Sequence, residues 1–94
     1  MNEIKFYWNE TKSHRLKRMR GLSFEDLTIR NLVELIDHPS RDGQFLLLFW
    51  IDDYIWAVPA VLEADGFFLK TLYPSRKHKK IYLERINHGK ENEN

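Results

Sequence analysis

Two short stretches hold most of the side chains in this chain that could do chemistry. Residues 12–20 carry five Lys or Arg and no acid, and residues 70–80 carry five more, again without an acid. The second stretch lies in Phe67-Phe-Leu-Lys-Thr-Leu-Tyr-Pro-Ser-Arg-Lys-His-Lys-Lys-Ile-Tyr82, where an apolar run breaks at Pro74-Ser75 into a cluster of cations. Ser75 is a good helix cap, and a helix start presents unpaired backbone N–H groups at the positive end of its dipole. Arg76, Lys77, Lys79 and Lys80 would reinforce a place already suited to phosphate, so the expected ligand is a polyanion. The net charge of +1 hides this, because the acids are gathered elsewhere, at Glu25-Asp26, Asp52-Asp53, Glu63 to Asp65 and Glu91 to Asn94.

Other chemistries lack their residues or, as with a Ser-His-Asp triad, the motif that would mark them. With no cysteine, disulfides, zinc ribbons and thiol catalysis are excluded. His14, His38, His78 and His88 show no metal-ligand spacing, no Gly-flanked Ser forms a nucleophile elbow, and the glycines are scattered at turns. No metal and no cofactor is expected. Phosphodiester chemistry without metal remains, in which an RNA 2′-hydroxyl attacks its own phosphate while the protein moves protons and stabilises charge. Arg offers phosphate a bidentate fork, and a Lys crowded by other cations gives up its proton more readily. His14 and His78 are the conventional proton shuttles near the basic stretches.

Plainer readings stand beside each of these. Basic helix segments are most often solvated faces. His78 falls one turn before Tyr82 on the apolar side of its helix, which suits a satisfied, partly buried His better than a catalytic one. Lys12 can snorkel along Leu16. Phe45, Phe49, Trp50, Tyr54, Trp56, Phe67 and Phe68 are core residues before they are a base-stacking platform; Tyr73, ending its strand where the cations begin, is the exception.

The elements that must position these groups follow from periodicity. Ile4, Phe6 and Trp8 alternate as a short strand, and Asn9 resembles the cap of a helix reaching Arg20. On that helix only Leu16 and Met19 make an apolar centre, with Lys12 on the same stripe, so the helix is held shallowly and its cations can project over a sheet edge. Gly21 suits a left-handed helix end, and Ser23-Phe-Glu-Asp26 has the form of a second helix start. Leu32 to Ile36 fits a helix extension or a strand, the strand being preferred, and Asp37 to Gly43 is a loop. Gln44–Ile51 and Tyr54–Val58 form a hairpin about Asp52-Asp53, Pro59 suggests an edge or a bulge, and a turn at Glu63 to Gly66 leads into a strand over Phe67–Tyr73. The closing helix buries Tyr82 and Ile86 and turns Lys77 and Lys80 outward.

At 94 residues, with 43% hydrophobic and 14% aromatic content, the chain supports one domain, residues 1–86, and a flexible polar tail, residues 87–94, without an apolar side chain. Its longest apolar run, Phe45 to Ile51, falls far short of the about 20 residues that span a bilayer, and no signal peptide is visible. A cytoplasmic protein with no membrane role is expected.

Two stretches carry a family resemblance. Phe6-Tyr-Trp-Asn-Glu-Thr-Lys12, followed by Arg18-Met-Arg-Gly-Leu-Ser-Phe-Glu25, resembles the opening of BrnT-like toxins: an aromatic, Trp-Asp/Asn, a Lys four residues after the Trp, a basic segment, Gly, then Ser-Phe-Glu. Phe68-Leu-Lys-Thr-Leu-Tyr-Pro-Ser-Arg-Lys77 with Tyr82 resembles that family's last strand and its Ser/Ala-Arg-Lys helix start. The resemblance spans about residues 6 to 83 in element order; Met19-Arg20-Gly21 departs from the family's Lys-His-Gly, and Leu32 to Gly43 differs as well. It implies an α+β, RelE/BrnT-like fold, β-α-α, then a three- to four-stranded antiparallel meander and a C-terminal helix. It also implies a ribonuclease toxin of a type II toxin–antitoxin pair that acts on RNA, mRNA foremost, and is neutralised by a cognate antitoxin from the same operon in a heteromeric complex, with 2:2 as a candidate stoichiometry. By position it assigns Lys12, Arg76 and Lys77 to RNA. Together with the residue-level reading, the expected catalytic set is Lys12, Arg76, Lys77 and His78. The expected RNA-binding set is His14, Arg15, Arg18, Arg20, Lys70, Tyr73, Lys79 and Lys80, with the shallow first helix facing Arg76 across a groove. The alternative is a non-catalytic module that uses the same basic face for nucleic acid or an antitoxin.

Overall fold

The alternation of apolar side chains along Leu46-Leu-Leu-Phe49 feeds two cores, one on each face of a single sheet. Leu47 and Phe49 join Val58, Ala60, Phe67, Leu69, Leu72 and the helix-side residues Leu16, Leu22, Phe24 and Leu27; Leu46 and Leu48 join Ile55 and Ala57 on the other face. A strand buried on both faces reads as an unbroken apolar run, as this one does. The computed structural model describes residues 4–92. Its elements are β1 (Lys5–Tyr7), α1 (Glu10–Arg20), two 3-10 turns (Phe24–Asp26 and Ile29–Asn31), β2 (Leu32–Asp37), β3 (Gln44–Ile51), β4 (Tyr54–Glu63), β5 (Gly66–Leu69), β6 (Tyr73–Pro74) and α2 (Arg76–Asn92). The sheet runs β1-β5-β4-β3-β2, with β6 pairing to β4. Strands β2 to β5 form the antiparallel meander, while β1 lies parallel to β5 at the edge. Among the described residues no helix is long and apolar enough to cross a membrane.

Local chemistry explains most boundaries. Asn9 caps α1 by accepting from the Lys12 N–H at 2.9 Å, and Gly21 ends it at φ 82°. Asp52 and Asp53 both take positive φ, the signature of the two-residue hairpin turn that matches strand twist. The residues from Leu32 form a strand, as preferred from sequence.

Several expectations change. The second helix is reduced to two single 3-10 turns separated by the extended residues Leu27 and Thr28, each turn too short to propagate an α-helix. Met19, placed on the buried stripe, is 69% exposed; the buried partner of Leu16 is Ser13, on the adjoining row. Ile4 is exposed, leaving Phe6 and Trp8 as the inward pair of the first strand. The strand expected over Phe67–Tyr73 is split into β5 and β6, and Pro59 explains the split. Pro59 lies inside β4, which is flanked by β3 along its length and by β6 and then β5 on its other side. Its carbonyl accepts from Lys70 at 2.9 Å, on the β5 side, so the N–H it lacks falls where β4 changes partner from β6 to β5. The proline thus sits at a gap in a central strand rather than at an edge. At the C-terminus α2 runs on to Asn92, past the point where apolar residues cease; residues 93–94 of the expected tail lie outside the described residues.

Candidate nucleic-acid interface

Helix α1 is fixed by its neighbours more firmly than its apolar content suggests. Ser13 is fully buried, and its Oγ accepts from the Phe24 N–H at 3.1 Å, tying the helix to the first 3-10 turn. Lys17 Nζ lies 3.0 Å from Asp26 Oδ2, which also accepts from the Ser23 N–H at 2.8 Å and the Ser23 hydroxyl at 3.1 Å. These bonds, the Ser23 backbone first, hold the Asp26 carboxyl below the usual carboxylate range. At the helix end Arg20 Nη1 donates to the Leu72 carbonyl. Lys12, Leu16 and Arg20 stand four apart on one row, so this face of α1 meets the segment between β5 and β6.

At the start of that row Lys12 enters a hollow of about 300 Å³ lined also by His38, Ser40, Arg41, Gln44, Pro59, Lys70, Thr71 and Tyr73. It lies at the β5–β6 break opposite Pro59, where the sheet leaves space. Three cations line it and no carboxylate does. Tyr73, half-buried against the second core, also lines it.

The start of α2 is built differently. Ser75 Oγ accepts from the His78 N–H at 3.2 Å and bonds His78 Nδ1 at 2.7 Å. Burial, and secondarily the charge of Lys77, pushes the His78 imidazole below its ordinary range, with Glu34 opposing. His78 is therefore a neutral, cap-bonded histidine, as the plainer reading had it. Arg76 and Lys80 line a second hollow of about 350 Å³ with Tyr54, Lys79 and Leu83. Lys79 Nζ sits 4.7 Å from the Tyr54 ring centroid, a cation–π contact, and Lys77 is exposed. Among the described residues no ion pair involves Arg76, Lys77, Lys79 or Lys80.

The expected site residues therefore fall into separate groups. Lys12, Lys70 and Tyr73 come together, and Arg76, Lys79 and Lys80 come together, but Lys12 and Arg76 line different hollows joined by the Tyr73–Arg76 segment. Arg15 and Arg18 line a hollow along the outer face of α1 with Glu10 and His14, and His14 and Arg18 share another with Glu25 and Asp26. Arg20 is engaged as a tether to Leu72. His14 faces Glu10 at 3.5 Å, and Glu10, His14 and Glu25 place ligand atoms within 4.8 Å of one another on the surface. Histidine spacing could not reveal that group because Glu25 comes from another element. Sequence reasoning also missed His38 and Arg41, which sit in a stretch legible only as a loop.

No family model matches the sequence, and no curated protein matches it either. Among solved structures, the fold is similar to the crystal structure of the Brucella abortus ribonuclease toxin BrnT, with a TM-score of 0.63, covering 80% of this chain and 100% of that one at 17% identity. The chain has a BrnT-like fold, as its two end motifs implied.

Proposed function

We propose that the protein is a ribonuclease toxin of a toxin–antitoxin pair that cleaves RNA without a metal ion in the cytoplasm and is neutralised by a cognate antitoxin. The observation that carries this reading is the acid-free hollow in which Lys12, Lys70 and Tyr73 meet, on a fold shared with a ribonuclease toxin. The cations would hold the scissile phosphate and its developing charge, and Tyr73 offers a face to a base. The 2′-oxygen forms a bond to phosphorus as the bond to the 5′-oxygen breaks, leaving a 2′,3′-cyclic phosphate and a 5′-hydroxyl. Arg76, Lys77 and Lys80 extend the positive surface along the strand. On induced expression, mapped RNA ends should carry cyclic phosphates, and charge reversal at Arg76 and Lys77 should abolish growth arrest with the fold intact. Growth arrest beside uncut RNA would sink the assignment.

A binding-only module is the second reading, favoured by the two expected shuttles: His78 is taken up by Ser75, and His14 faces Glu10 on hollows that Lys12 does not line. Salt-sensitive RNA binding without cleavage, with and without ribosomes, would select it.

A further inference from the structure

The loop between β2 and β3 closes on itself and lines the Lys12 hollow with three of its residues, His38, Ser40 and Arg41. The His38 N–H donates to the Gln44 carbonyl at 2.9 Å, the Gln44 N–H donates to the Arg41 carbonyl at 3.3 Å, and the Ser40 N–H donates to His38 Nδ1 at 3.2 Å. Gly43, at φ 76°, makes the reversal that brings the chain back into β3. The bond from Ser40 occupies Nδ1 as an acceptor, which leaves Nε2 as the ring's donor. His38 and Arg41 both line the hollow that Lys12, Lys70 and Tyr73 enter.

The hollow, at about 300 Å³, lies at the small end of ligand pockets, room for one nucleotide rather than a strand. Its lining divides by chemistry. Arg41, Lys12 and Lys70 suit a phosphate, while His38, Gln44 and Tyr73 are of the types, imidazole, amide and aromatic ring, that recognise a base edge and face. The second hollow has cations but no imidazole or amide. We propose that the β2–β3 loop, through His38 and Arg41, completes a single-nucleotide subsite in the Lys12–Tyr73 hollow and selects the base it admits. The proposal rests on the reading of this face as the one that meets RNA.

The test is calorimetric titration of the full chain with the four nucleoside 3′-monophosphates and with inorganic phosphate. At least one nucleotide should bind more tightly than phosphate. His38→Asn, whose Oδ1 can go on accepting from Ser40, should weaken that nucleotide by about tenfold and leave phosphate unchanged. Arg41→Ala, which removes an exposed side chain and so preserves the fold, should weaken both. Nucleotides binding no better than phosphate, or folded variants binding every probe like the wild type, would overturn the subsite. Cleavage assays on the same proteins separate the two readings. Loop-dependent nucleotide binding beside uncut RNA removes the nuclease and keeps the subsite; cleavage with unchanged base preference in both variants does the reverse.

Discussion

The two basic stretches carry the same number of Lys and Arg, yet their helices treat charge in opposite ways. Helix α1 has Glu10 in its first turn and Lys17, Arg18 and Arg20 in its last, the arrangement that its dipole favours. Helix α2 begins with Arg76, Lys77, Lys79 and Lys80 and has no acid in its first turn, the arrangement that its dipole opposes. In α1 the cations are also consumed locally, Lys17 by Asp26 and Arg20 by the Leu72 carbonyl. Stability alone accounts for most of the α1 charges, whereas Arg76 and Lys77, in the first turn of α2 with no acid beside them, stand where the dipole opposes them, which is what a surface kept for an anion should show. Counting cations cannot separate the two; only the partners supplied by neighbouring elements can.

The largest test of this contrast attacks the frame that delivers α1. A Cβ at Gly66 would lie 1.8 Å from the Lys5 carbonyl oxygen, so no side chain fits there without displacing β1 from β5. Gly66→Ala should cost about 3 kcal/mol in urea unfolding, in the range of severe backbone disruption, and should move α1 with β1. Next, Ser13→Ala leaves the buried Phe24 N–H without an acceptor and should cost about 2 kcal/mol. If Ser13→Ala leaves the urea midpoint unchanged, the Ser13–Phe24 bond does not hold α1 to the first 3-10 turn.

How far the sequence revealed this depends on the range of each interaction. The caps at Asn9 and Gly21, the turn at Asp52-Asp53 and the Ser75 helix start rest on chemistry within a few residues, and all were legible. The two end motifs likewise led to the fold. What was illegible involves long separations: Arg20 meeting Leu72, the Pro59 gap dividing β5 from β6, and a loop turning His38 and Arg41 toward Lys12. Met19 misled because apolar periodicity over an eleven-residue helix cannot show that Ser13 is the buried neighbour. Arg76 and Lys12 were each placed on the correct element, but whether their hollows coincide depends on that same distant gap.

A smaller effect sharpens the contrast by its sign. Arg20→Ala should lower stability by about 1 kcal/mol, because it removes the tether to Leu72. Lys77→Glu should raise stability by about 0.5 kcal/mol, since an acid in the first turn of α2 suits the dipole. The same Lys77→Glu change should weaken RNA binding and flatten its salt dependence by about one unit of log–log slope. Paired urea titrations and salt-dependent binding measure both. A loss of stability in Lys77→Glu would mean that these cations serve the fold after all.

The smallest effect is a difference in acid response between the Ser23–Asp26 turn that holds the end of α1 and the start of α2. Asp26 and His78 both have folded values below their ordinary ones, so each contributes stability that is whole above its unfolded value and is lost as pH falls through the folded one. For Asp26 that window opens below about 3.9, and for His78 below about 6.5. Both groups are substantially solvated, so each contribution is screened and small. Protonating His78 sets a second cation beside Lys77 and takes away the Nδ1 lone pair that Ser75 can donate to, so the start of α2 weakens first. Between pH 7 and 5 the wild type should lose a little stability, His78→Gln should lose none of that increment, and Asp26→Asn should follow the wild type. Between pH 5 and 3 the roles reverse, with Asp26→Asn showing the shallower decline. Urea midpoints at these three pH values separate the two windows, and a decline between pH 7 and 5 that survives in His78→Gln would show that the Ser75–His78 pair is not what makes this end of the helix acid-sensitive.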